Sequence, residues 1–273
     1  MTLLKIAGAL ALLYLVVVLL AALLQDRLLF PRWAMRDGPA PLPQAAERLS
    51  VEVPGTGRLA GVLLPASQGP PPGAALILGF GGNAWEADEL AAYLHAAFPD
   101  RAVASFHYRG YGPSDGRPGA RAILDDALRI HDEIAATRGP ARIVAVGFSL
   151  GAGPAAHLAA NRDLAGAILV TPFDSLAALA GDLYPWLPVR LLLRHEMDVA
   201  AALAQGGSPT AIIAAGQDRV VPPRRTEALR RAGGRLVLDR TIPGVGHNDI
   251  YESAAFTAAL RDALRRIEAD PGR

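Results

Sequence analysis

The chain reads as an α/β domain on a mainly parallel central sheet with helices on both faces, preceded by one membrane-spanning helix. Three observations predict this. Ile6–Leu24 is an apolar run without a charge. Beyond it lie eight short apolar runs, the later ones separated by helical stretches. Gly147-Phe148-Ser149-Leu150-Gly151 joins one such run to a small-residue helix.

In chain order, Ile6–Leu24 comes first. At ~1.5 Å per residue it makes ~28 Å of helix, close to the ~30 Å hydrocarbon core of a bilayer. A cleaved signal peptide is the rival reading. Its apolar region is only ~7–15 residues and ends in small residues of A-x-A type. Here the run finishes Ala21-Ala22-Leu23-Leu24-Gln25-Asp26, a poor cleavage site. Residues 1–25 are therefore read as an anchor, with the lipid bilayer as partner. The positive-inside count of Arg27, Arg32 and Arg36 against Lys5 favours a cytoplasmic domain but leaves the side undecided. Residues 26–48 read as a linker. Its Pro31–Pro43 part is rich in turn formers, and Phe30 and Trp33 suit the membrane interface.

Residues 49–273 form the expected α/β domain. Strands are predicted at Leu49–Val53, Leu59–Leu64, Ala74–Leu78, Ala102–Phe106, Arg142–Val146, Gly166–Val170, Thr210–Ala215 and Arg235–Ile242. Helices are predicted at Ala84–Phe98, Arg121–Thr137, Gly151–Asn161, Pro222–Ala232 and about Glu252–Ile267. The first two strands have no helix between them and should form an antiparallel hairpin at one edge. Residues 175–205 contain Leu183-Tyr184-Pro185-Trp186-Leu187-Pro188 and Leu191-Leu192-Leu193, an apolar insertion that reads as a small cap. A packing helix unrelated to substrate is the alternative. If the insertion is a cap, Trp186, Leu191, Leu192 and Leu193 are candidates for an acyl pocket.

Of 273 residues, 51% are apolar, and the formal net charge is +1, so no basic face points to nucleic acid. The chain has no cysteine, which excludes disulfides, thiolate catalysis and Cys-based zinc sites. Lys5 is the one lysine among 27 cations, and alanine is abundant, the residue usage of a GC-rich bacterial genome.

G-x-S-x-G alone arises by chance at about one position in a few thousand. Its context gives it meaning. A serine between strand and helix is forced into a strained turn that lifts its hydroxyl above the sheet edge, and the flanking glycines let strand and helix cross closely. Acyl transfer needs a base, a group that orients it, and donors for the oxyanion. His247, in Gly244-Val245-Gly246-His247-Asn248-Asp249, follows the last strand in a glycine-flanked loop. Other histidines fall within helices (His95, His131, His157), in the insertion (His195), or ahead of Ser149 (His107). Asp218, after the strand at 210–215, can accept the imidazole N–H. A helix cap before Pro222 is its other reading, and Asp174 is the second candidate acid. One oxyanion donor is the Leu150 N–H, and the other should lie in Gly79-Phe80-Gly81-Gly82-Asn83-Ala84. That loop is not a phosphate loop, because no Lys-Ser/Thr follows and no G-x-G-x-x-G is present.

These motifs resemble those of the α/β-hydrolase superfamily, specifically its membrane-anchored Bem46-like branch, related to the mammalian α/β-hydrolase-domain proteins 12, 13 and 17. The matching segments include Tyr108–Gly116, Thr171–Leu176, the Asp218 loop through Pro222, Gly246–Asp249 and the hydrophobic start through Leu29-Phe30-Pro31. The resemblance implies Ser149 as nucleophile, Asp218 as acid and His247 as base, with the Asn83 and Leu150 N–H groups as oxyanion donors. Two departures stand out: Gly81-Gly82 replaces the usual His-Gly, and His107 replaces the Asp before Tyr-Arg-Gly. The expected function is a serine hydrolase of an acyl ester or thioester, without metal or organic cofactor, as a single-pass protein of a bacterial cell membrane. A peptidase or amidase of the same fold and a non-catalytic tethered binding protein are the alternatives.

Overall fold

Helix α1, Thr2–Leu29, is one continuous element whose mean hydropathy reaches 2.8 over an 18-residue window. In this computed structural model the described residues are 2–35, 41–139 and 142–270. The Arg36–Ala40 part of the expected linker, Ala141 ahead of a strand, and the chain ends lie outside them. Helix α1 runs past the expected boundary at residue 25. Phe30, expected at the membrane interface, is instead buried edge-on against the His195 ring, whereas Trp33 is exposed.

Strands β1 (Glu47–Val53) and β2 (Gly57–Leu64) form the expected antiparallel hairpin at the sheet edge. Strands β3 (Leu76–Phe80), β4 (Val103–Phe106), β5 (Ile143–Phe148), β6 (Gly166–Val170), β7 (Thr210–Ala215) and β8 (Leu236–Ile242) are parallel to one another. The order across the eight-stranded sheet is β1-β2-β4-β3-β5-β6-β7-β8. Chain direction across the sheet therefore reverses between β3 and β5, where an open α/β sheet leaves a crevice at the strand ends.

Helices α2 (Ala87–Ala97), α3 (Ala120–Arg138), α4 (Ala152–Asn161), α5 (Leu176–Leu183), α6 (Val189–Leu192), α7 (Val199–Gln205), α8 (Pro223–Arg231) and α9 (Ala254–Glu268) complete the domain. Strand side chains alternate between two cores. Val144, Val146 and Phe148 join Leu90 and Leu94 of α2 and Phe256 and Leu260 of α9. Ile143 and Ala145 face the opposite way, toward Ile123 and Ile130 of α3 and Leu158 of α4. Burial on both faces accounts for the unbroken apolar runs in the sequence.

The structure shifts β3 two residues beyond the expected Ala74–Leu78. Gly79 lies inside the strand because α2 packs there at close range: a Cβ on Gly79 would sit 2.6 Å from the Leu94 side chain. Ser175 and Asp198 cap α5 and α7 by accepting from the Ala178 and Ala201 N–H groups at 3.2 and 2.8 Å.

Candidate active site

Ser149 directly follows β5 with φ of 50°, a left-handed conformation rare for a residue with a Cβ. The chain then makes a short 3-10 turn, Ser149–Gly151, before α4. The surroundings enforce this geometry. A Cβ on Gly147 would overlap the Gly151 carbonyl, and one on Gly151 would overlap the carbonyl of Phe80 at the end of neighbouring β3. Both flanking positions therefore require glycine.

The loops after β7 and β8 are joined by main-chain hydrogen bonds from Gly216 N to Ile242 O and from Gln217 N to Val245 O, at 2.8 and 2.9 Å. This pairing carries Asp218 to His247. Asp218 Oδ2 lies 2.7 Å from His247 Nδ1, and His247 Nε2 lies 3.0 Å from Ser149 Oγ. Asp218 Oδ1 accepts from the Val220 and Val221 N–H groups at 2.9 and 2.7 Å. The helix-cap reading of Asp218 does not hold: α8 starts at Pro223 after Pro222 without a side-chain cap, and Oδ1 instead closes the turn ahead of it while Oδ2 meets His247. Asp174 is engaged elsewhere, accepting from Arg225 at 3.1 Å. Asp218 and His247 are both buried.

Sequence reasoning missed the aromatic backing of this site. Trp85 packs 5.1 Å from Phe148 and 5.0 Å from Tyr251, centroid to centroid, and Phe148 lies 5.7 Å from Tyr251. These rings join the loop after β3, the end of β5 and the turn that follows His247. Burial pushes the Tyr251 and Tyr93 hydroxyls up to about 12, so both stay neutral at working pH. Single aromatics spaced far apart in sequence gave no signal of the cluster.

The loop Gly81-Gly82-Asn83 lies beside the serine; a Cβ on Gly82 would be 3.9 Å from Ser149 Cβ. Three side-chain contacts hold it. Tyr108 Oη donates to Gly81 O at 2.7 Å, Tyr111 Oη donates to Asn83 Oδ1 at 3.0 Å, and Asn83 Nδ2 donates to Leu29 O at 2.6 Å. Burial raises the pKa of both tyrosines, keeping them donors. The Tyr108–Gly116 segment is itself fixed by a forked ion pair from Arg109 to Asp126 and by Asp115 N donating to Arg58 O at 2.9 Å. His107 sits within 3.1 Å of Glu86 and 3.7 Å of Asp88, while its carbonyl accepts from Ser114 Oγ at 2.8 Å. Hydrogen bonding through Ser114, Asp115 and Arg109 thus anchors this loop.

The chain is 36% identical over 215 residues to an uncharacterized protein of Mycobacterium tuberculosis, covering 77% of this chain and 74% of that one. A family model described as the α/β hydrolase fold matches residues 76–197. The chain belongs to the α/β-hydrolase family. It is also 25% identical over 173 residues to α/β-hydrolase domain-containing protein 17C of Xenopus tropicalis, across 59% of this chain and 52% of that protein. Among solved structures, a bacterial membrane phospholipase A superposes with a TM-score of 0.64 at 18% identity, over 98% of both chains.

In this hydrolase the predicted pocket residues divide. Trp186, Leu192 and Leu193 line an apolar cavity of about 310 Å³. Its opposite wall is α1 itself, through residues including Val17, Ala21, Leu24 and Leu28. Leu191 departs from the expectation. It is 86% exposed and borders a separate recess with Asp182, Arg190 and Arg225, because the single turn of α6 points successive side chains in different directions. Helix α1 is fastened to the 175–205 insertion at two levels, Tyr14 and Gln25. Tyr14 Oη donates to Trp186 O at 2.9 Å; Gln25 Nε2 donates to Leu192 O at 3.1 Å, and Gln25 Oε1 accepts from Arg194 N at 2.8 Å.

Proposed function

We propose that this protein is a membrane-anchored serine hydrolase acting on acyl esters or thioesters. The continuous hydrogen-bonded path from Ser149 through His247 to Asp218, starting at a strained elbow, carries the reading. Ser149 Oγ attacks the acyl carbonyl as His247 Nε2 takes its proton, forming a tetrahedral oxyanion. The N–H groups of Leu150 and Asn83 are assigned to that oxyanion: the first lies in the opening turn after the nucleophile, the second in the loop beside it. His247 then protonates the leaving group, and the acyl-enzyme is cleaved by water that His247 activates in turn. Asp218, facing the imidazolium, is itself held in place by two main-chain N–H groups. Helix α1, by length and hydropathy, is assigned as the anchor.

A fluorophosphonate probe tests this directly. It should label the full-length protein in detergent at Ser149 and leave Ser149→Ala unlabelled, with ester turnover lost in parallel. Labelling of the alanine variant, or unchanged turnover by it while folded, refutes the assignment.

A further inference from the structure

Resting on that serine-hydrolase reading, we propose that the groove between α1 and the cap is an acyl-chain site, which takes its chain from a bilayer lipid. Val17, Ala21, Leu24 and Leu28 follow one another at i, i+4, i+7 and i+11, so they form a single stripe along the helix. That stripe faces Trp186, Leu192 and Leu193. Gln25 interrupts it, but both ends of its amide are occupied by Leu192 O and Arg194 N. A polar ligand would leave its own groups unpaired against such walls, whereas a hydrocarbon chain is stabilised by every methylene it buries.

Length and position fit the same occupant. From Val17 to Leu29 the helical wall runs about 18 Å, against ~15 Å for one leaflet of a ~30 Å hydrocarbon core. The groove ends at Leu29, whose carbonyl is bonded to Asn83 in the loop beside Ser149. Leu29 thus brings one end of the groove next to the loop beside Ser149.

The cap meets the anchor inside the membrane-spanning stretch. The Tyr14–Trp186 bond fixes the cap about 17 Å along α1 from Gln25. Around that contact Leu183, Tyr184, Trp186 and Leu191 are 44–86% exposed, beside an apolar helix that is itself exposed. These side chains place the cap in the leaflet together with α1, leaving no aqueous gap between lipid and groove.

Two measurements test the proposal. Full-length Ser149→Ala is reconstituted in phosphatidylcholine vesicles carrying a diazirine on one acyl chain, then irradiated. Crosslinks should concentrate at Val17, Ala21, Leu24 and Leu192 over the outward-facing Leu12, Leu19 and Leu23. Even labelling around the helix, or labelling of Leu12, Leu19 and Leu23 with the groove residues left unlabelled, would overturn it. In the otherwise wild-type enzyme, Ala21→Trp should fill the groove and lower kcat/KM for a palmitoyl ester at least tenfold more than for a butyryl ester. Equal losses on both esters, or none on either, also overturn it. Should the wild type neither hydrolyse esters nor take a fluorophosphonate, the hydrolase reading fails, and the crosslinking map still decides the groove.

Discussion

The side-chain amide of Asn83 donates to the main-chain carbonyl of Leu29 across 2.6 Å, tying the last turn of α1 to the loop beside Ser149. The last four carbonyls of a helix have no partner within it, so this bond satisfies one of them while fixing the loop. A chain starting just beyond α1 loses that bond. Each such neutral bond is worth ~1 kcal/mol. Truncation at Trp33 and full-length Asn83→Ala should each lower kcat on a small ester about tenfold, with KM little changed. Combined, they should cost less than the sum, by roughly the energy of the shared bond. Full additivity in this kinetic cycle would show that anchor and loop act separately.

Asp218 allows two of its functions to be separated. In Asp218→Asn the amide oxygen can still accept from Val220 and Val221, which turns the NH2 group toward His247 Nδ1. Nδ1 must then accept, the proton moves to Nε2, and the imidazole can no longer take the serine proton. The expected loss is ~10⁴ in kcat with thermal stability near wild type. Asp218→Ala leaves the two N–H groups without their acceptor, at about 1–3 kcal/mol each, and should lower the melting temperature as well. Equal stability for the two variants would remove Asp218 Oδ1 from this structural role.

How much of this was legible in the sequence depends on the range of the interaction. The α/β class, the edge hairpin and the strand–turn–helix around Ser149 follow from local periodicity and glycine placement. The order Ser149, Asp218, His247 could be read from strand ends because a parallel sheet gathers those ends on one edge. The contacts of α1 were not legible. An apolar stripe facing a cap and one facing lipid have the same composition, so Val17, Ala21 and Leu24 gave no sign of their partner. Gln25 read only as part of a poor cleavage site, because its partners, Leu192 O and Arg194 N, are main-chain atoms without residue-type identity. Leu191 was grouped with its neighbours because run composition says nothing of direction around one helical turn.

Gly151 has a sharper steric requirement than most positions in the chain. A Cβ there meets the Phe80 carbonyl, backbone that cannot rotate away, whereas one on Gly207 meets nothing within 4 Å. Gly151→Ala should therefore force β3 and β5 apart, at a cost of ~1–3 kcal/mol or more, and abolish turnover. Gly207→Ala should leave both intact. Thermal unfolding in detergent beside an ester assay decides it, and a stable, active Gly151→Ala would contradict the close crossing.

Glu86 and Asp88 flank one histidine yet titrate in opposite directions. Burial raises Glu86 above its ordinary 4.5, against the pull of His107, with Glu89 and Asp88 adding repulsion. For Asp88, burial is outweighed by hydrogen bonds from His107 and Arg48, and its pKa falls below 3.8. A raised carboxyl pKa means that the folded state holds the proton more tightly, so its stabilising contribution is lost as pH rises through the folded value. Glu86→Gln keeps the group neutral and should gain on wild type at pH 8, with the gain vanishing as pH falls toward 4.5. A lowered pKa has the reverse sign. Asp88→Asn should cost stability at pH 8, and that deficit should close only below about pH 4, as the wild-type carboxylate protonates. Urea unfolding of both variants beside wild type at pH 8 and pH 5 separates the signs: the Glu86→Gln advantage should shrink between them while the Asp88→Asn deficit holds. Parallel changes in the two variants would mean that the shared His107, and not burial, sets both.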